Sequence, residues 1–204
     1  MRIGILGAGN IAGALGQRWA ANGHDVLFGV RDPQSYTVQL VLNGCGPNAQ
    51  AGTMREAATY GDVVVLAVPW SAVPDVLTQT AGCADKILID CTNRMGPPAP
   101  GAPASGTEQV AKLAPQARVV KAFNTLGAES IAHLEFSGIN ASTFMCGDNA
   151  AAKATVRQLG EDIGFDVVDV GPLATAPLVE SLAQLWVQIS HSLGRDIAFR
   201  LLRR

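Results

Sequence analysis

The chain has 204 residues, 48% of them hydrophobic and 22 of them glycine, with a formal net charge of −2. A globular chain of this length buries roughly 70% of the surface it exposes when unfolded, which fits one large domain or one with a small appendage. The near-neutral charge leaves no electrostatic footprint for nucleic acid, and no apolar run approaches the ~20 residues a bilayer span requires.

The first predicted strand, Arg2-Leu6, runs straight into a glycine-rich turn and then a helical pattern over Ile11-Ala21. Further short Val/Ile/Leu-rich strands are predicted at Asp25-Gly29, Asp62-Val68, Lys86-Asp90, Arg118-Ala122, Ser142-Cys146 and Asp166-Asp169. Helical spacing falls between them, over Thr53-Ala58, Ser71-Gln79, Gly106-Leu113, Asn149-Ile163 and a last segment from about Ala176 to Leu202. Strands alternating with helices imply an α/β, doubly wound Rossmann fold: a mostly parallel sheet covered on both faces, with a small C-terminal helical extension. We expect a single domain over 1–204, with about 142–204 as a closing subregion.

In the last helix Leu178, Leu182, Leu185, Trp186, Ile189 and Leu193 recur at three- and four-residue spacing, which implies one broad buried face and a possible homodimer contact. Arg195, Arg200, Arg203 and Arg204 would complement the negative end of that helix. The segment from Gly96 to Gly106 holds four prolines and leaves a strand's carboxyl end, as a linker, a lid or a plain surface loop. Cys45, Cys83, Cys91 and Cys146 are scattered without C-x-x-C or histidine pairing, so neither a disulfide framework nor a metal site is expected. With no charged-then-apolar leader before the first strand, a cytoplasmic location is expected.

Gly7-Ala8-Gly9-Asn10-Ile11-Ala12 reads as G-x-G-x-x-A in the strand-turn-helix context of a dinucleotide site. Gly7 would permit the tight turn, Gly9 the approach of a pyrophosphate, and Ala12 or Gly13 close packing of helix on sheet, with free N–H groups facing the phosphates. The second strand ends Gly29-Val30-Arg31-Asp32, where an acid would hold the ribose diol of NAD. Arg31 instead offers a guanidinium fork for the 2′-phosphate of NADP(H), unless it is a surface residue paired with Asp32. Val68-Pro69-Trp70 closes another strand; Trp70 would pack on the nicotinamide ribose or adenine, or simply cover the strand end. Thr92, Asn93 and Asn124 follow strands and could orient a second substrate or form turns. Acid–base groups are few. His24 sits in a turn at the opposite end of the sheet, His191 lies on the final helix, His133 is a further candidate, and Lys121 is the credible proton donor. Hydride transfer between two ring cofactors would need little such machinery.

Together these residues resemble the coenzyme F420:NADP oxidoreductase family. The likeness adds Cys146-Gly147-Asp148 and Asp169-Val170-Gly171-Pro172-Leu173 leading into Leu178-Val179-Glu180-Ser181-Leu182. It implies that Ala8, Gly9, Asn10 and Ile11 meet the pyrophosphate and that Val30 and Arg31 surround the 2′-phosphate. Trp70 and Leu126-Gly127-Ala128 would border the ribose and nicotinamide. Val30 stands where the family often has serine or threonine, so NADP preference would rest on Arg31, helped by Ser35 or Tyr36. Asn124 replaces a histidine of some members, near the expected deazaflavin pocket. The Lys121-Asn124 run also resembles the reductase domain of metalloreductases, which implies a flavin as alternative electron partner. Other readings are a reductase of a small imine or carbonyl compound, with Lys121 as acid, and a non-catalytic NADPH sensor.

Overall fold

The computed structural model describes residues 1–96 and 100–204. Its first half contains β1 (Arg2–Leu6), α1 (Asn10–Ala21), β2 (Asp25–Gly29), α2 (Tyr36–Cys45), β3 (Ala49–Gly52), α3 (Met54–Tyr60), β4 (Val63–Leu66), α4 (Val73–Gln79) and β5 (Ile87–Asp90). The second half adds α5 (Gly106–Leu113), β6 (Arg118–Lys121), α6 (Ala128–Ala132) and a short hairpin of β7 (Glu135–Phe136) and β8 (Ile139–Asn140). It closes with β9 (Ser142–Gly147), α7 (Ala150–Asp162), β10 (Asp166–Asp169) and α8 (Ala176–Leu193).

Eight strands form one sheet in the order β10-β9-β6-β5-β4-β1-β2-β3. Six of them carry the 3-2-1-4-5-6 order of a doubly wound nucleotide fold, so the order reverses between β1 and β4. β9 is antiparallel to β6, joined through Val120–Gly147 and Lys121–Cys146. Pairing is confined to the last residues of β9, so its earlier part runs past the carboxyl end of β6, and β10 pairs parallel with it. β9 and β10 therefore extend the main sheet.

Both faces are packed. One cluster joins Ile3, Ile5, Leu15, Trp19, Phe28, Phe123 and Phe165; the other joins Leu6, Leu66, Leu77, Leu88 and Val110. Close packing of α1 on the sheet depends on Gly16, where a Cβ would stand 2.3 Å from a Phe28 ring carbon. Of the two residues expected to permit this packing, Gly13 faces Val41 on α2 instead, whereas Ala12 is wholly buried in the cluster on the sheet.

Several boundaries differ from the sequence expectation. α2, β3, α6 and the β7–β8 hairpin lack an isolated hydrophobic period. The final helix stops at Leu193, because Gly194 takes a positive φ of 83°. Residues 195–204 then fold back: Ser142 N–H donates to the Phe199 carbonyl at 2.8 Å and Trp186 Nε1 to the Ile197 carbonyl at 2.9 Å. Arg195, Arg200, Arg203 and Arg204 thus lie beyond the helix. Arg195 pairs with Glu129 at 2.9 Å and Arg200 with Asp166 at 3.3 Å. The expected face of α8 is buried only in part: Trp186 is buried, and Leu182 and Ile189 are half-buried. Leu178, Leu185 and Leu193 are exposed, whereas Ala176, Val179, Ala183, Trp186 and Ser190 bury the inner face.

Candidate functional site

The carboxyl ends of β1, β2, β4, β5 and β6 converge on one edge, with the strand-order reversal between β1 and β4 at its centre. Gly7 leaves β1 with φ 109°, and its N–H donates to the Gly29 carbonyl at 2.8 Å. A side chain at Gly7 would meet the Ala67 carbonyl oxygen at 2.6 Å, so the turn presses against the end of β4. Gly9 differs: a Cβ there would have no protein atom within 4 Å. Neither local packing nor backbone strain requires glycine at that point. Space kept free at the start of α1, whose N-terminus has no side-chain cap and no acidic residue in its first turn, fits a pyrophosphate held by backbone N–H groups. Ala8, Asn10 and Ile11 share that turn.

At the end of β2, Val30 is buried and Arg31 is exposed. Asp32 Oδ1 accepts the Gln34 N–H at 3.0 Å, forming its own local turn, and no ion pair joins it to Arg31 among the described residues. Ser35, four residues after Arg31, precedes α2 without making a capping bond, so its hydroxyl is uncommitted to the helix. A guanidinium, a hydroxyl and a helix N-terminus together suit a phosphate ester.

Across the reversal, Val68 is half-buried, Pro69 is exposed and Trp70 is half-buried. Trp70 reaches the start of α5, where its ring lies 3.0 Å from the Cβ position of Gly106. Its packing is therefore partly structural. Ala128 is the first residue of α6, half-buried behind Gly127.

Lys121 sits at the end of β6 and is wholly buried, as is Asp90 at the end of β5. Its Nζ donates to Asp90 Oδ2 at 3.1 Å and to the Thr92 carbonyl, and lies 3.8 Å from Glu180 Oε1. Asp90 also accepts from Thr92 N and Oγ1 at 2.9 and 2.7 Å, and from Thr107 Oγ1 at 2.7 Å. Glu180, from α8, accepts the Gly106 and Thr107 N–H groups at 3.0 Å each, capping α5 from another helix. This network ties β5, β6, α5 and α8 together and encloses Lys121, which corrects the expectation of a proton donor facing substrate. Glu180 went unassigned a role in the sequence; an acid on the apolar side of an amphipathic helix was the available signal.

Asn124 is buried beside this network. Its Nδ2 donates to Asn93 Oδ1 at 2.9 Å, while Asn93 Nδ2 donates to the Asn124 carbonyl at 3.1 Å. Turning the Asn124 amide over would set two oxygens against each other, so its orientation is defined. Asn124 Oδ1 and Thr125 Oγ1 have no partner among the described residues. The pair of amides fixes the mouth between β5 and β6 and retains an acceptor.

The histidines lie elsewhere. His24 Nε2 meets Asp162 Oδ2 at 3.1 Å on the opposite side of the sheet; burial, then the Met1 amino charge, holds its pKa below the usual value against the pull of Asp162. His133 and His191 are exposed. All four cysteines are free and buried, and burial pushes the Cys45 thiol up to about 11. No group of three potential metal ligands occurs among the described residues. Nor is any described helix long and apolar enough to cross a membrane. Within the expected loop from 96 to 106, residues 97–99 lie outside the described residues; Pro103 and Ala104 are tethered by Arg94.

Residues 2–94 match the family described as NADP oxidoreductase, coenzyme F420-dependent. Over 98% of its length the chain superposes on 99% of an Arthrobacter sp. protein proposed to be an F420-dependent NADP reductase, with 29% identity and a TM-score of 0.87. A hypothetical protein from Sinorhizobium meliloti is 32% identical, with 87% of this chain and 88% of that one covered and a TM-score of 0.75. Metalloreductase STEAP3 of Rattus norvegicus is 33% identical over 185 residues, covering 89% of this chain and 36% of that protein. The chain thus spans about a third of the length of the curated relatives it matches.

Proposed function

The chain belongs to the family of coenzyme F420-dependent NADP oxidoreductases, and from that premise we propose that it moves a hydride between NADP(H) and a deazaflavin of the coenzyme F420 kind. The open cradle at Gly9, which no protein atom approaches, carries the nucleotide half of this reading. In it, the Gly7-Ala8-Gly9-Asn10-Ile11 turn receives the pyrophosphate, and Val30 and Arg31 receive the 2′-phosphate. Val68, Pro69, Trp70 and Ala128 border the nicotinamide end. Lys121 acts as a positioning residue, holding the carboxyl ends of β5 and β6 at a fixed spacing through Asp90 and Thr92. Asn124 presents a polar acceptor at that mouth. The bound cofactors supply the redox chemistry, so the protein's contribution is alignment of two rings and exclusion of water.

A flavin acceptor is the second reading. It is favoured by one observation: the family match ends at residue 94, whereas the metalloreductase match continues through most of the second half, where an acceptor would sit.

The test mixes the protein with NADPH and oxidised coenzyme F420, with riboflavin and flavin mononucleotide as parallel acceptors, and follows bleaching of each. Bleaching of the deazaflavin supports the first reading. Bleaching of flavin alone moves the assignment to the second. Tight NADPH binding without consumption by any acceptor refutes both and leaves a nucleotide sensor.

A further inference from the structure

α6 is five residues long and has no side-chain cap, too short to hold its place unaided. Ile131 anchors it in the core. Its start, residues 127–130, is gripped by α8 and by residues 195–197, which fold back against it. Trp186 presses on Gly127, where a Cβ would stand 2.9 Å from the indole ring and 2.7 Å from Glu129 Oε2. Glycine serves close approach here, since its φ is an ordinary −78°. Trp186 Nε1 donates to the Ile197 carbonyl, and the buried Ser130 hydroxyl donates to the same oxygen at 3.3 Å. Arg195 closes the grip. Its Nε and Nη2 donate to Glu129 Oε1 and Oε2 at 2.9 and 3.3 Å, while its guanidinium lies 5.2 Å from the centre of the Trp186 ring. Farther along, Ser142 donates its N–H to the Phe199 carbonyl and accepts the Leu201 N–H at 3.0 Å, so the returning chain is fixed beyond the grip as well.

On the NADP(H) reading given above, we propose that Arg195 is a positioning residue for the nicotinamide end of the site: by holding Glu129 and Trp186 it fixes where Gly127 and Ala128 stand. The segment it steadies is incomplete without a ligand. Asn124 and Thr125, just before it, are 5% and 2% exposed, and Oδ1 of the one and Oγ1 of the other have no partner among the described residues. Leaving such atoms unpaired is costly, and a ligand that pairs them binds well only while the segment stays in place. Arginine suits the position because its planar fork meets both carboxylate oxygens while its face rests against an aromatic ring. Sheet order keeps the effect local. α6 follows β6, four strand spacings from β2, or about 19 Å between strand axes, so the adenosine phosphate beside Arg31 lies outside its reach.

The test titrates the whole protein with NADPH and with adenosine 2′,5′-bisphosphate, which carries the 2′-phosphate but no nicotinamide, by isothermal calorimetry. Arg195→Glu sets a second carboxylate against Glu129 and opens the grip. A segment in place only part of the time weakens its ligand by that fraction, so NADPH should bind about threefold to tenfold more weakly. The bisphosphate, bound far from the change, should move by less than about twofold. Adding Glu129→Arg reverses the pair and should return NADPH to within about twofold of the parent. A residue that only stabilises the fold would lower the melting temperature and move both ligands alike or neither. Equal effects on the two ligands, an unchanged NADPH affinity, or no recovery in the double variant therefore overturn the proposal. A parent protein that binds neither ligand refutes the NADP(H) reading itself, and the proposal falls with it.

Discussion

Replacing Lys121 with methionine separates a structural cation from a catalytic acid. The substitution keeps the apolar stem and removes the ammonium, leaving two buried carboxylates without it. Asp90 is wholly enclosed and would retain the two Thr92 donors and the Thr107 hydroxyl; Glu180 would retain two N–H groups from α5. The Thr107 hydroxyl lies 2.7 Å from Asp90 and 3.1 Å from Glu180, and its single proton cannot serve both. Like charges would then meet across it. Removing one member of a buried ionic network costs about 3–5 kcal/mol. At about 2–4 °C per kcal/mol for a chain of this size, the melting temperature should fall by about 6–20 °C. Thermal unfolding by circular dichroism gives that shift, and turnover measured well below the variant's transition gives the catalytic comparison. NADPH binding and kcat should survive where the variant is folded. A melting temperature within about 2 °C of the parent refutes the structural argument. If kcat were lost as well, Lys121 would become the acid of a carbonyl or imine reductase.

Arg31→Ala should weaken NADPH binding about tenfold to a hundredfold, as expected for a charge-assisted contact, and leave NADH almost unchanged; equal weakening of both would mean that Arg31 does not meet the 2′-phosphate. Gly9→Val should cost both nucleotides their affinity while shifting stability by only about 1 kcal/mol, because the cradle is empty of protein atoms. Retained affinity in isothermal titration would show that the turn does not bind the pyrophosphate. The depressed His24 pKa means that the folded state favours the neutral ring. Its contribution to stability is full above the unfolded value of about 6.5 and declines as pH falls through the lower folded value. His24→Gln should flatten the melting curve between pH 7 and pH 5, and an unchanged slope would remove this explanation. A homodimer on the outward leucine stripe of α8 predicts that Leu185→Glu yields monomers by light scattering; a monomeric parent disposes of the expectation.

The nucleotide edge was legible from the chain because its signals are local. A tight turn needs glycine at Gly7, an open cradle needs glycine at Gly9, and the end of a strand about twenty residues later presents Arg31. Strand and helix periods likewise declare themselves within a few residues, which located β1, β2, β4, β5, β6, β9, β10 and most of the covering helices. β3, with the sequence Ala49-Gln50-Ala51-Gly52, carries no such period and becomes a strand only by pairing with β2. α2 exposes Tyr36 and Leu40 and buries only Val38 and Cys45, so its apolar pattern was too weak to read alone.

What the tertiary structure decided concerns faces and partners. Of the residues at apolar spacing in α8, Trp186 is buried as the pattern implies, whereas Leu178, Leu185 and Leu193 are exposed and Ala176, Val179, Ala183 and Ser190 complete the inner face, because the surface that α8 meets comes from distant parts of the chain. Lys121 looks like a proton donor at the end of a strand until α8 brings Glu180 from far along the chain to share it with Asp90. Sequence determines which short stretches prefer a strand, a helix or a phosphate-binding turn, since those preferences arise from neighbouring dihedral angles and side chains. Only folding determines which buried charges meet and which remain unanswered, since that depends on groups distant in sequence and on water being absent between them.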